Sequence, residues 1–177
     1  MEETTNPSPT TREVGIRYGL IMGVIGVIYF LVLTFAGVDM TGGPGRYASF
    51  VFLIIIFILA HKYFKDGGDG FMSFGQGFSI VFWISLVSNV INNVFFYIYV
   101  KFIDSGFIQL LKDKQMEEMS NRGMSEEQID QAMNIAGKFM TPEVMLAFGL
   151  IGGIIMYVIC GIIITLFTQK KNPAADI

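Results

Sequence analysis

Four stretches of this chain contain no Asp, Glu, Lys, Arg or His: Gly19 to Val38, Ala48 to Ala60, Gly70 to Val100 and Val144 to Gln169. In 177 residues, 53% of them hydrophobic, no soluble core is large enough to hide apolar runs of this length. The mean hydropathy of +0.56 points the same way. The expected fold class is therefore all-α, an integral membrane four-helix bundle. A span needs ~20 apolar residues at ~1.5 Å rise each. The spans are expected at about 14–38, 47–64, 74–102 and 143–168, within one membrane domain covering 14–171. The second run is short, but Tyr47, Tyr63 and Phe64 can sit at the interfaces while Lys62 snorkels outward. The third exceeds one bilayer thickness, which predicts either tilt or an interfacial turn through Ser73, Gly75 and Gly77.

Residues 1–13 carry Glu2, Glu3, Arg12 and Glu13 together with Pro7 and Pro9. That composition reads as a disordered tail. A cleavable signal would need a compact basic start and a shorter apolar stretch, so Thr34, Phe35 and Ala36, small at the two outer positions, are not taken as a cleavage site. Residues 172–177 form a short C-terminal tail. An even number of spans puts both termini on one side. The terminal side holds Arg12, Arg17, Lys62, Lys65, Lys170 and Lys171, and the other holds Arg46, Lys101, Lys112, Lys114, Arg122 and Lys138. The two sets are equal in number. The first lies in shorter flanks close to the spans, where basic residues weigh most, and this places both termini in the cytoplasm.

Between spans 3 and 4, residues 104–141 read as an extramembrane helical hairpin. Ser125, Glu126, Glu127 and Gln128 form a capping-box sequence after a turn at Gly123. Ile129, Ala132, Met133, Ala136 and Met140 then recur at helical spacing, and Ile108, Leu111 and Met119 supply a stripe on the arm before the turn. Thr141, Pro142 and Glu143 read as cap, first-turn proline and dipole-compatible acid for the last span.

Lipid gives helices no hydrophobic reason to associate, so small residues mark where backbones approach. Gly15, Gly19, Gly23 and Gly26 fall on one face of span 1, and Gly149, Gly152 and Gly153 mark span 4. Packing within the bundle takes precedence over a homodimer seam, because every polytopic protein needs internal seams. The lone Cys160 has no disulfide partner in the chain.

Span 3 carries Ser85, Ser88, Asn89, Asn92 and Asn93 at i, i+3, i+4, i+7 and i+8, one stripe at membrane depth, with Tyr99 beyond it. Interhelical hydrogen bonding, worth ~0.6 kcal/mol per contact, is the first reading. A polar groove for a small solute, lipid headgroup or ion is the alternative, since Asn offers donor and acceptor without charge.

Catalytic, cofactor and metal residues are not expected. His61 is the only histidine, placed beside Lys62 at a span end, so a multi-His metal site or a Ser-His hydrolase lacks its parts. Structural or snorkelling use of His61 is the expectation. The Gly67, Gly68 and Gly70 cluster is a turn rather than a phosphate loop. The Met residues of the hairpin match packing periodicity better than a Cu(I) site. A net charge of −3 without a basic cluster disfavours nucleic acid.

The start at Tyr18, Gly19 and Gly23, the run Ser73, Phe74, Gly75, Gln76, Gly77, Phe78 and the segment MSEEQIDQAM from Met124 to Met133 occur in this order. Together they make the chain similar to the bacterial four-span membrane family known as domain of unknown function 4199, from about Arg12 to Lys171. The resemblance implies a four-helix inner-membrane protein and supplies no catalytic residues. The expected role is a non-enzymatic structural or interaction subunit, with the bilayer and a homo-oligomeric, membrane or periplasmic partner. The alternative is a passive channel or small-solute or lipid-binding transporter built on the Asn stripe. Absence of charge at depth disfavours ion coupling.

Overall fold

The computed structural model describes residues 8–38 and 43–173, apart from the side chains of 43–46. The described residues form six helices: α1 Thr11–Phe35, α2 Gly43–Asp66, α3 Phe74–Ile98, α4 Phe107–Asn121, α5 Glu126–Ala136 and α6 Pro142–Thr168. A π-helical turn, Tyr99–Ile103, prolongs α3. No strand occurs among the described residues, only an isolated antiparallel bridge between Met72 and Lys170. Helices α1, α2, α3 and α6 are long and apolar enough to cross a membrane. The protein is an all-α membrane helical bundle.

Three helix starts are set by the same local chemistry. Thr10 Oγ1 accepts from the Glu13 amide while Glu13 reaches back to the Thr10 amide, so α1 begins at Thr11. The helix thus takes in residues expected to be tail, because the box satisfies amides that a first turn otherwise leaves bare. Residues 1–7 lie outside the described set. Ser73 and Gln76 repeat the device, with Ser73 N donating to Gln76 Oε1 at 2.8 Å and Gln76 N to Ser73 Oγ at 3.2 Å. This replaces the interfacial turn expected through Gly75 and Gly77, and both glycines lie inside α3. The third box, Ser125 with Gln128, starts α5 as its sequence predicts. Thr141 Oγ1 accepts from Val144 N at the start of α6.

The chain packs as two compact units, Met1–Asn92 with Gly152–Ile177, and Asn93–Ile151. Helices α3 and α6 contribute to both. In the first unit the core is Val14, Met22, Leu53, Ile56, Phe57, Ala60, Met72, Ile80, Val81 and Ile84. Here α1 lies on α3 through its glycine face, the two helices running in the same direction. A β-carbon at Gly15 would run into Trp83, one at Gly19 would stand 2.8 Å from Val87 Cβ, and one at Gly23 2.7 Å from Ile91 Cδ1. Each step of four along α1 matches a step of four along α3, the spacing at which one helical face returns. Arg12 lies over the Trp83 ring at 5.2 Å, and Arg17 lies over Tyr63 while donating to its hydroxyl at 2.9 Å. These cations with aromatic faces suit the level where a span meets water.

The second unit holds the hairpin and the helix ends that carry it. The π-helical turn closes with Asp104 N donating to Tyr99 O at 2.9 Å, and Phe107 at the head of α4 is buried edge-on against Phe96 and Tyr99. Helix α4 ends where Gly123, at φ +81°, lets Met124 N reach Met119 O and Gly123 N reach Ser120 O. The expected apolar stripes of α4 and α5 are their half-buried faces. Lys101 Nζ pairs with Glu143 Oε1 at 2.7 Å and donates to Tyr97 Oη at 2.7 Å, tying the end of α3 to the start of α6.

The α1 seam has no spare volume. Gly19→Leu is expected to lower stability by about 1–3 kcal/mol, the usual cost of overpacking, measured as the unfolding midpoint in detergent micelles.

Candidate functional site

The five polar residues of α3 do occupy adjacent turns, but the three asparagines face two different neighbouring helices and the two serines bond to α3 itself. Ser85 donates to Val81 O at 2.8 Å and Ser88 to Ile84 O at 2.7 Å, so both buried hydroxyls spend their proton on their own helix. Asn92 Nδ2 likewise donates to Ser88 O at 2.7 Å. Its amide occupies the space in front of Gly26 of α1, where a β-carbon would collide with it. Asn89 is buried and fills the space over Gly153 of α6. In the second unit Asn93 fills the corresponding space over Gly149. Among the described residues no buried side-chain nitrogen or oxygen lacks a hydrogen-bond partner. Each amide thus sits where a neighbouring helix offers only glycine.

In the first unit, helices α3 and α6 run antiparallel with large against small at each contact. Gly77 meets Thr165, Val81 meets Gly161 and Asn89 meets Gly153. Four residues forward on α3 correspond to four residues back on α6, so the two faces stay in register. Gly152, grouped by sequence with the packing glycines, meets nothing within 4 Å among the described residues. It sits ~100° round the helix from Gly153, off the contact face.

A second polar cluster, at the end of the first unit that holds α2's last turns and α6's exit, is one that sequence reasoning missed. His61 is fully buried rather than snorkelling. Its Nε2 lies 3.2 Å from Gly77 O, an acceptor only, so Nε2 carries a proton and donates. Its Nδ1 lies 2.7 Å from Thr168 Oγ1, which also reaches Ile164 O at 2.9 Å. Lys65 Nζ donates to Thr168 O at 2.9 Å, satisfying a carbonyl that the end of α6 leaves open. Met72 and Lys170 exchange both backbone hydrogen bonds at 2.9 Å, and Lys170 lies over the Phe71 ring. One histidine thereby joins α2, α3 and α6. The available signal was a lone imidazole one turn beyond Phe57, on the same face as a run of core residues. Nothing in the sequence named Thr168 as its partner, 107 residues away.

Surface clefts open at this same end. One, of about 540 Å³, is lined by Asp69, Phe71, Ser73, Gln76 and Lys171 among others, and another, of about 370 Å³, by Thr10, Glu13, Arg17 and Tyr63 among others. Neither is lined by Asn89, Asn92 or Asn93. Among the described residues, no group of three or more His, Cys, Asp or Glu is placed to hold a metal ion.

Two adjacent glycines separate seam from surface. Gly153→Leu is expected to cost about 1–3 kcal/mol or to prevent folding, whereas Gly152→Leu leaves the unfolding midpoint in micelles nearly unchanged. Thr168→Val strands His61 Nδ1 in the interior, with an expected loss of about 1–3 kcal/mol by the same measurement.

A family model described as "Protein of unknown function (DUF4199)" matches residues 17–170. No curated protein and no solved structure matches the chain.

Proposed function

This chain belongs to the DUF4199 family, and from that premise we propose that it is a non-enzymatic structural or interaction subunit of the bacterial inner membrane. Both termini lie in the cytoplasm and the α4–α5 hairpin on the outer face. The observation that carries this reading is the seating of Asn89 and Asn93 over Gly153 and Gly149, with Asn92 over Gly26. A transport groove needs polar groups turned to a lumen, and these are turned to the backbones of neighbouring helices. Among the described residues, the ion pairs Lys101–Glu143 and Arg122–Glu118 lie outside the charge-free stretches, where ion coupling would need a charged pair or relay. What the bundle offers elsewhere is the hairpin, whose Glu126, Glu127 and Asp130 form an exposed acidic face on α5. That face is suited to a basic patch on a membrane or periplasmic partner, at an affinity that salt weakens. Nucleic acid is not a partner.

Native mass spectrometry of the protein extracted in mild detergent tests this reading. A retained protein partner is expected with the intact chain, and its loss when Gly106 to Lys138 is replaced by a short flexible linker. Solute flux through liposomes containing the protein is expected to equal the empty-vesicle background. A monomer that retains a defined small molecule, released by Asn92→Leu without loss of folded protein, would overturn it in favour of the groove.

A further inference from the structure

The stretch of the hairpin just before α6 carries two large apolar side chains that stay more than half exposed. Ile135, in the last turn of α5, is 65% exposed, and Phe139, in the turn that follows, is 54% exposed. They are not part of the stripe that packs α5 on α4. At ~100° per residue Ile135 stands about 120° from Ile129, about 160° from Met133 and about 60° from Ala132, so it lies just outside that stripe. Glu126 and Asp130 point ~140–180° away from Ile135, and Glu127 stands ~80° from it. Ile135 is thus a single apolar side chain outside the α4-facing stripe, flanked on the surface of α5 by Gln128 and Gln131, and Phe139 in the following turn is the second.

What lies against these two side chains follows from Phe139. Its ring packs edge-on against Phe148, with centroids 6.0 Å apart. Phe148 is itself 63% exposed, and Ile151, one turn on along α6 in the same unit, is 63% exposed on the same side. On a membrane-spanning helix that side is the lipid-facing one. Phe148 lies only ~9 Å along the axis from Pro142, at ~1.5 Å per residue. The Lys101, Glu143 and Tyr97 cluster belongs to the same pair of helix ends, and its charges and phenol fit the headgroup level. Phe139 thus extends the lipid-facing surface of α6 onto the hairpin. Lys138, exposed beside it, has the long stem that lets an ammonium reach lipid phosphate while the stem stays in apolar surroundings.

We infer that the edge of the hairpin formed by Ile135 and Phe139 is buried in the headgroup and acyl boundary of the bilayer, so that α5 lies on the membrane with its acidic side outward. Such an edge takes its binding from apolar area and from a cation facing the headgroups; Ile135 and Phe139 supply the first and Lys138 the second. The inference rests on the continuity of Phe139 with Phe148 and does not depend on whether the acidic side binds a partner. It leaves that side as the surface the hairpin presents to water.

Site-directed nitroxide labelling tests the inference. In a Cys160→Ala background, Ile135→Cys, Phe139→Cys, Phe148→Cys and Asp130→Cys are labelled one at a time in the full chain, reconstituted in phosphatidylcholine vesicles. Collision rates are measured with oxygen, which enters lipid, and with a water-soluble nickel chelate, which does not. All four positions are on the surface or at its edge, and circular dichroism of each variant checks the fold. The expected result is a higher ratio of oxygen to nickel collisions at 135 and 139 than at 130, approaching the ratio at 148. Equal ratios at 130, 135 and 139 would overturn the inference. So would low collision rates with both reagents at 135 and 139, since that pattern means a protein surface, whether a second copy or another chain, covers the edge.

Discussion

Close approach of backbones at glycine is the interaction on which the rest of this molecule depends. In water, burying an apolar face would hold the helices together, but lipid is as apolar as the side chains and removes that drive. What remains is contact, and contact is gained where one helix has no side chain and its neighbour does. Helix α1 brings Gly15, Gly19 and Gly23 to Trp83, Val87 and Ile91, and α6 brings Gly161 and Gly153 to Val81 and Asn89. Because the small residues recur every four or eight positions, the contact persists along the helix instead of ending after one turn.

The polar residues at depth follow from this. An amide inside a membrane is tolerated when its donors and acceptors are met, and a glycine opposite leaves room for it next to a backbone that can meet them. Asn89 and Asn92 occupy such places, while Ser85 and Ser88 close on carbonyls of their own helix. His61 obeys the same rule at the end of α2, with Gly77 O on one ring nitrogen and Thr168 on the other. There the small residue also matters, since Gly77 lets Thr165 and the imidazole approach α3 together. The buried polar groups Ser85, Ser88 and His61 of the first unit are thus spent on contacts within the bundle.

Much of this was legible in the chain because it is local. Apolar length marked the spans, and α1, α2, α3 and α6 fall where those runs are. The capping box at Ser125 set the start of α5 from four consecutive residues. The equivalent box at Ser73 is just as local, but the glycines beside it suggest a turn, whereas the box starts the third span as a helix. Thr10 with Glu13 escaped notice for a related reason, since a tail rich in Pro, Ser and Thr hides a cap that needs only two of its members. Gly152 was assigned to the seam because periodicity cannot distinguish two adjacent glycines, and only one of them can face the neighbour.

The sequence by itself determined what each segment could be: four lengths of apolar helix, an amphipathic hairpin, and a set of small and polar residues on known faces. Those properties depend on residues within a turn or two of each other. Only the tertiary structure decided which faces meet, that α1 runs along α3 on glycine, that His61 reaches Thr168, and that Asn89 and Asn92 turn to different neighbours. It also decided that Phe139 leans on Phe148. The physical reason is that contacts between helices depend on their relative rotation and register. Many pairings of similar apolar faces satisfy the sequence pattern equally, and fitting side chains opposite glycines selects among them.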